Sequence, residues 1–155
     1  MSIRSLDEMD RKIVRTLQAN PDMSIADISA EVGLSPTPCW RRVKRLEEEL
    51  VIVRRAVIFD PRKLGLTINV LANVKLHRHD EDTLEALERE ARDYPEILEC
   101  YSMSGESDYV MRVVTTDIEA YERFLKKVLL HLPGVASVNS SFTLKTIKAT
   151  TNLPV

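Results

Sequence analysis

The spacing of apolar residues changes once along this chain, and that change limits the possible folds more than any other feature. Up to about residue 50 they recur every three or four positions, at Leu6, Met9, Ile13 and Leu17, at Ile25, Ile28 and Val32, and at Cys39, Val43 and Leu46. That is the period of helices that bury one face. From Ile68 onward, alternation appears, with Ile68, Val70, Ala72, Val74 and Leu76 separated by Asn69, Asn73 and Lys75. Such a segment is a strand with one side in a core. A chain of 155 residues that separates the two periods in this way is expected to be α+β, with a helical part followed by a sheet part.

The helical part carries its own punctuation. Asn20-Pro21 closes the first helix, and Ser24 with Asp27 three residues on announces the second, the hydroxyl capping a free N–H and the acid complementing the helix dipole. Gly33 stands where a helix end calls for positive φ, and Ser35-Pro36 restarts a third helix with a capping residue and a proline at its first position. In that helix Pro36, Cys39, Val43, Leu46 and Leu50 share a face. Thr37, Arg41, Lys44 and Arg45 fall opposite, with Trp40 and Arg42 on the flanks.

Charge sharpens the reading. The net charge is -2, but Ser35 to Arg45 holds Arg41, Arg42, Lys44 and Arg45 and no acid, and Glu47, Glu48 and Glu49 follow at once. A helix that enters the major groove needs cations for phosphates, short polar groups for base edges, and apolar residues turned back into its own domain. The third helix has all three, so double-stranded DNA is the expected partner. Ser35 and Thr37 are candidates for base or backbone contact, and Arg41, Arg42, Lys44 and Arg45 for phosphates or guanine. Trp40 is expected to pack on the neighbouring helix, the alternative being the DNA backbone. The alternative is a helical bundle with a solvated basic face, in a metabolite-binding assembly protein that touches no DNA.

Val51 to Ile58 is β-branched and mixed with arginines, and Asp60-Pro61 and Gly65 follow, which predicts a short strand and a linker. Beyond the first alternating strand, Leu84, Leu87, Ala91 and Tyr94 mark a helix. Ile97 to Ser104 and Tyr109 to Thr115 mark two strands joined through Gly105 to Asp108. Ile118, Tyr121, Leu125, Val128 and Leu132 mark a second helix stopped by Pro133-Gly134, and Val135 to Ile147 a final strand. The order β-α-β-β-α-β is the ferredoxin-like arrangement, two helices on one face of an antiparallel sheet. The other face then needs a partner, for which a second copy of the chain is the simplest choice.

A free amino acid requires an acceptor for its ammonium and donors for its carboxylate. Asp108 or Glu106 can supply the first, and the Gly105 backbone with Ser140, Ser141 or Thr143 the second. No metal site is expected: His77 and His79 alternate at a strand end among Arg and Asp, too few ligands for zinc. No nucleophile-base pairing or glycine-rich phosphate loop stands out, so neither an enzyme nor a cofactor is expected. Two separated cysteines, Cys39 and Cys100, suit a reducing cytoplasm, and no apolar run is long enough to span a membrane.

Several segments, in order, resemble the leucine-responsive/asparagine regulator (Lrp/AsnC) family of transcription factors. They are Leu6 to Ile13, Val32 to Cys39, Arg45-Leu46-Glu47, Ser104 to Tyr109, Leu132 to Val135 and Ser140-Ser141-Phe142. The resemblance implies a winged helix-turn-helix over residues 1–55, a linker strand over 56–66, and a ferredoxin-like regulatory and oligomerisation domain over 67–155. It also implies dimers that associate further, often to octamers, with amino-acid effectors lodged between dimers. By position it assigns Gly105, Asp108 and Tyr109, with Ser141, Phe142 and Thr143, to the effector-responsive region, and Glu106 and Ile118 to its neighbourhood. The chain departs from the family at Leu50, where a helix-ending glycine is usual, and at Arg55, where an aromatic is common.

Overall fold

The computed structural model describes residues 6–155, which form two compact units: residues 59–147, and a unit in which residues 148–155 join residues 6–58. The expected division placed the last eight residues with the regulatory domain instead.

In the first unit, α1 (Glu8–Ala19) starts at Asp7, whose carboxylate accepts the Asp10 N–H at 2.8 Å while the Asp10 carboxylate accepts the Asp7 N–H at 3.2 Å. Two free donors are thus satisfied reciprocally. α2 (Ile25–Val32) is capped by Ser24, which accepts from Asp27 N–H at 3.2 Å. Gly33 ends it at φ 77°, and Leu34 N–H closes back on Ser29 O at 2.8 Å. α3 (Pro36–Glu48) follows after this tight turn. Ile13, Ile28, Val32, Cys39, Val43 and Leu46 form the core beneath the three helices.

The apolar stripe of α3 is shorter than the spacing suggests. Pro36 is exposed, and Leu50 lies beyond the helix at φ 56° with 70% of its surface in solvent. The position keeps the left-handed turn that glycine would adopt freely, at a cost of about 1–2 kcal/mol to a residue with a Cβ. The strand expected at Val51 to Ile58 is absent: no ladder includes it, and Val53, Val57 and Ile58 are each more than 70% exposed. β-branched residues favour extended backbone, but a strand also needs an edge to pair with, and the single chain offers this segment none. Residues 148–155 return to α1, where the Gln18 side-chain amide accepts Leu153 N–H at 2.5 Å and donates to Leu153 O at 3.2 Å.

The second unit opens with a single 3-10 turn (Pro61–Leu64). Its sheet is built from β1 (Ile68–Leu76), β2 (Ile97–Ser102), β3 (Tyr109–Thr115) and β4 (Val135–Phe142), in the order β2-β3-β1-β4 with every neighbour antiparallel. α4 (Glu81–Asp93) joins β1 to β2, and α5 (Ile118–Lys127) joins β3 to β4. Leu87 and Ala91 of α4 and Tyr121 and Phe124 of α5 share one core with Val70, Ala72, Val74, Met111 and Val113, so both helices cover the same face, as the ferredoxin-like order requires. Gly134, at φ 73°, ends the approach to β4 where a Cβ would stand 2.3 Å from Thr83 Cγ2. A larger residue would force the Thr83 side chain at the start of α4 to shift.

Two elements end earlier than periodicity predicts. α5 stops at Lys127, because Val128 takes φ -120° and ψ -69°, and a 3-10 turn (Leu129–His131) carries Leu129 and Leu132 into the core. Ile118, counted in the stripe, is 60% exposed. β4 stops at Phe142 because β1 begins at Ile68: Thr143 N–H reaches Asn69 O at 2.9 Å, after which no strand remains to pair with. Leu144 and Ile147 are therefore left 95% and 83% exposed.

Candidate functional site

The cations of α3 divide into two groups. Arg41 is exposed and makes no ion pair among the described residues, while Lys44 is tied only to Glu47, one turn along the same helix, at 2.9 Å. Arg42 and Arg45 turn inward. Arg42 donates to Asp7 and to Asp10, both at 2.7 Å, and Arg45 reaches the other Asp10 oxygen at 2.6 Å. Asp10 is 2% exposed, so one buried carboxylate at the start of α1 holds two guanidinium groups of α3. The hydrogen bond from Arg42 also keeps the Asp7 carboxyl below its usual range.

Placing Arg45 on the free face, as helical spacing does, misses this long-range partner. The N-terminus of α3 is open: Ser35 makes no side-chain cap bond, and Pro36 and Pro38 leave Thr37 as the one amide donor among the first three helical positions. Such an end attracts anions. Ser35 and Thr37 are exposed beside it, and Trp40, expected to pack on the neighbouring helix or on the DNA backbone, is 49% exposed. The outward surface of α3 is therefore Ser35, Thr37, Trp40, Arg41 and Lys44.

The residues expected to hold an amino acid fall into two places in one chain. Tyr109 pairs with Val74 and Phe142 with Val70, so the two groups lie four residues apart along β1, roughly 13 Å at strand rise. Gly105 turns the β2–β3 connection at φ 143°. Asp108 braces it: one carboxylate oxygen accepts Leu76 N–H at 2.7 Å, and the other meets His79 Nε2 at 2.8 Å. Those bonds hold the Asp108 carboxyl below the normal aspartate range. Tyr109 points into the core, where its hydroxyl donates to Glu88 at 2.9 Å; burial, then Glu88, pushes its pKa up to about 12.

On β4, Ser140 bonds the Tyr121 hydroxyl and Phe142 meets the Tyr121 ring edge-on at 5.3 Å, so both face α5. Ser141, opposite Leu71, lies on the uncovered side of the sheet. What the fold does bring together is a groove of about 500 Å³ where Glu106 and Ser107 meet Asn73, Lys75, Ser137 and Asn139. Lys75, Asn73, Ser137 and Asn139 were absent from the sequence candidates. They are legible only once β1 and β4 are in register, Lys75 against Ser137 and Asn73 against Asn139.

Comparison with known proteins matches residues 6–47 to the AsnC-type helix-turn-helix domain and residues 69–153 to the Lrp/AsnC ligand binding domain. The chain belongs to the Lrp/AsnC family. The DNA-binding transcriptional activator DecR of Escherichia coli is 35% identical over 150 residues, 97% of this chain and 99% of DecR. The Bkd operon transcriptional regulator of Pseudomonas aeruginosa is 39% identical over 142 residues, 92% of this chain and 93% of its own.

Among solved structures, a transcriptional regulator from Neisseria meningitidis in complex with L-Met superimposes with a TM-score of 0.91 at 37% identity, covering 97% of both chains. An AsnC family regulator from Agrobacterium tumefaciens gives 0.90 at 40%, covering 96% of this chain and 97% of its own. Within this Lrp/AsnC chain, then, α2, Gly33 to Ser35 and α3 are the helix-turn-helix, and the groove beside Glu106 lies in the ligand binding domain.

Proposed function

We propose that this transcription regulator reads double-stranded DNA through the outward surface of α3 and answers a small amino acid bound at the Glu106 loop. The observation that carries the first half is the division of the arginines. With Arg42 and Arg45 held on Asp10, α3 sits at a fixed angle on α1, and Ser35, Thr37, Arg41 and Lys44 are the groups left to meet bases and phosphates. Arg42 and Arg45 contribute to phosphate binding only at their exposed edges.

The amino acid is held by opposite charges across the groove, its ammonium by Glu106 and its carboxylate by Lys75, with Asn73, Ser137 and Asn139 as neutral partners. Asp108 and Gly105 shape the loop, and Ser141 and Thr143 reach the ligand from another copy of the chain. Self-association through the uncovered sheet face supports that arrangement. Leu71 and Tyr101 are exposed there, 42% and 55%, and Asn69 Oδ1 and Arg112 Nε are buried without a hydrogen-bond partner. A second copy covering the face would shield the apolar residues and supply polar contacts. Dimers that associate further in the cytoplasm complete the reading.

A mobility-shift titration over a range of salt tests the DNA surface. Arg41→Ala with Lys44→Ala lowers the salt slope by roughly 0.9 log units per lost phosphate contact. An unchanged slope removes both residues from the interface and favours a protein partner for α3. For the ligand, a thermal-shift screen of the common amino acids compares the natural chain with Glu106→Gln and Lys75→Met. A shift that survives both substitutions places the effector elsewhere.

A further inference from the structure

The Glu106 groove does not use Tyr109, Glu88 or Cys100, and these three meet in a different place. Between α4 and the β2–β3 hairpin lies an open cleft of about 440 Å³, within the roughly 300–1,000 Å³ typical of small-molecule sites. Ala91, Ile97 and Leu98 supply its apolar part, and Glu99, which also lines it, is committed to Arg112 at 2.6 Å. Its walls carry opposite charges one helical turn apart: Glu88 and Arg92 stand 3.9 Å from each other, at the outer limit of an ion pair. Arg92 is 76% exposed and makes no closer pair among the described residues, so most of its donors there are uncommitted.

Glu88 is oriented from below by the buried Tyr109 hydroxyl at 2.9 Å, which occupies one carboxylate oxygen and leaves the other facing Arg92. Cys100 and Ser102 line the β2 side. A fixed carboxylate and a free guanidinium a few ångströms away, beside the apolar Ile97 and Leu98, match an α-amino acid: ammonium to Glu88, carboxylate to Arg92, side chain on Ile97 and Leu98.

We propose that this cleft is a second amino-acid site of the regulatory domain, with Glu88 and Arg92 as its charged contacts and Tyr109 as the positioning residue. Tyr109 follows Asp108 directly, and Asp108 clamps the Glu106 loop to Leu76 and His79. A ligand that draws on Glu88 therefore acts through Tyr109, two residues from Ser107 of the groove already described, which gives the two sites a short route by which to influence each other.

Cys100 supplies the test. It is the exposed cysteine, whereas Cys39 is fully buried, so iodoacetamide alkylation of the full-length folded protein reads the cleft selectively. Free amino acids are screened for protection, L-methionine and L-leucine first. At a concentration about ten times its Kd, a ligand in the cleft slows alkylation about tenfold, because only the empty cleft reacts.

Glu88→Gln, which preserves shape and the acceptor for Tyr109, abolishes protection. Glu106→Gln abolishes the thermal shift assigned to the other groove yet leaves protection intact. Failure of every amino acid to slow alkylation overturns the second site and leaves the Glu106 reading standing. Protection that survives Glu88→Gln but vanishes with Glu106→Gln also overturns it, since the ligand would then act on Cys100 from the loop.

Discussion

Truncating Asp10 to alanine tests the claim that one carboxylate sets the position of α3. Asp10 is 2% exposed and accepts from Arg42 at 2.7 Å, Arg45 at 2.6 Å and Asp7 N–H at 3.2 Å. Removing one member of a buried ion pair costs about 3–5 kcal/mol when the survivor stays dry. Here the survivors are partly wet, with Arg42 and Arg45 side chains 30% and 32% exposed. Arg42 also keeps Asp7, while Arg45 keeps only Glu49 at 4.0 Å. We therefore take about 2 kcal/mol for the pair and add about 0.5–1 kcal/mol for the lost half of the capping box.

In a unit of this size each kcal/mol moves Tm by about 4–8 °C, so Asp10→Ala lowers the melting of the helical unit by on the order of 10 °C or more. Trp40, the sole tryptophan, sits on α3, and its emission reports that transition in the full chain. Glu8→Ala is the control: its pair with Arg15 is exposed on both sides, 44% and 69%, and such pairs contribute about 0–1 kcal/mol. A drop for Asp10→Ala no larger than that of Glu8→Ala would refute the reasoning. The three-way contact would then be a surface pair, and Arg42 and Arg45 would be as free for DNA as Arg41.

Three further substitutions follow from the same geometry. Leu50→Gly relieves the left-handed backbone at φ 56° and removes a side chain that packs little; against the flexibility glycine adds to the unfolded chain, the net gain is about 0.5–1 kcal/mol, read by urea unfolding. Gly134→Ala puts a methyl 2.3 Å from Thr83 Cγ2 at φ 73° and destabilises the second unit by about 2 kcal/mol or more; the double variant with Thr83→Ser recovers the steric part alone. For pH, the folded Asp108 carboxyl titrates below its unfolded value, so its contribution is present above the usual aspartate pKa of about 3.9 and disappears as pH falls through the folded value. The Tm gap between the natural chain and Asp108→Asn closes on strong acidification, as the carboxylate is protonated; a gap that persists there contradicts the assignment.

Periodicity and capping chemistry are local properties, and the elements they specify lie where the sequence places them. Ser24, Gly33 and Gly134 each mark a boundary that the backbone obeys. The misses share a different cause, because each depends on what lies across from a segment rather than within it. Val51 to Ile58 has strand composition but no edge beside it, and Leu144 and Ile147 are strand formers beyond the end of β1. The effector candidates share a chemistry but lie at two sequence-distant points, and only the register, Tyr109 on Val74 and Phe142 on Val70, separates them. The same register assembles Lys75, Asn73, Ser137 and Asn139 beside Glu106, a set with no signature in the linear sequence.

The basic helix illustrates why charge counting overstates a binding surface. Arg41, Arg42, Lys44 and Arg45 give +4 in eleven residues, yet the count treats them as equivalent when their environments differ by one carboxylate. Asp10 has two roles in α1: it completes the capping box with Asp7, and its side-chain oxygens also reach across to the arginines of α3. An acid in the first turn favours the helix dipole wherever it points, so nothing in the local pattern distinguishes a solvated Asp10 from a buried one. Burial makes the difference, because a carboxylate removed from water must be matched by cations and donors, and the two arginines within reach are recruited to satisfy it. What remains for DNA is a smaller and more directional surface: an uncapped helix start, two short hydroxyl side chains, an exposed indole and the two cations that Asp10 does not hold.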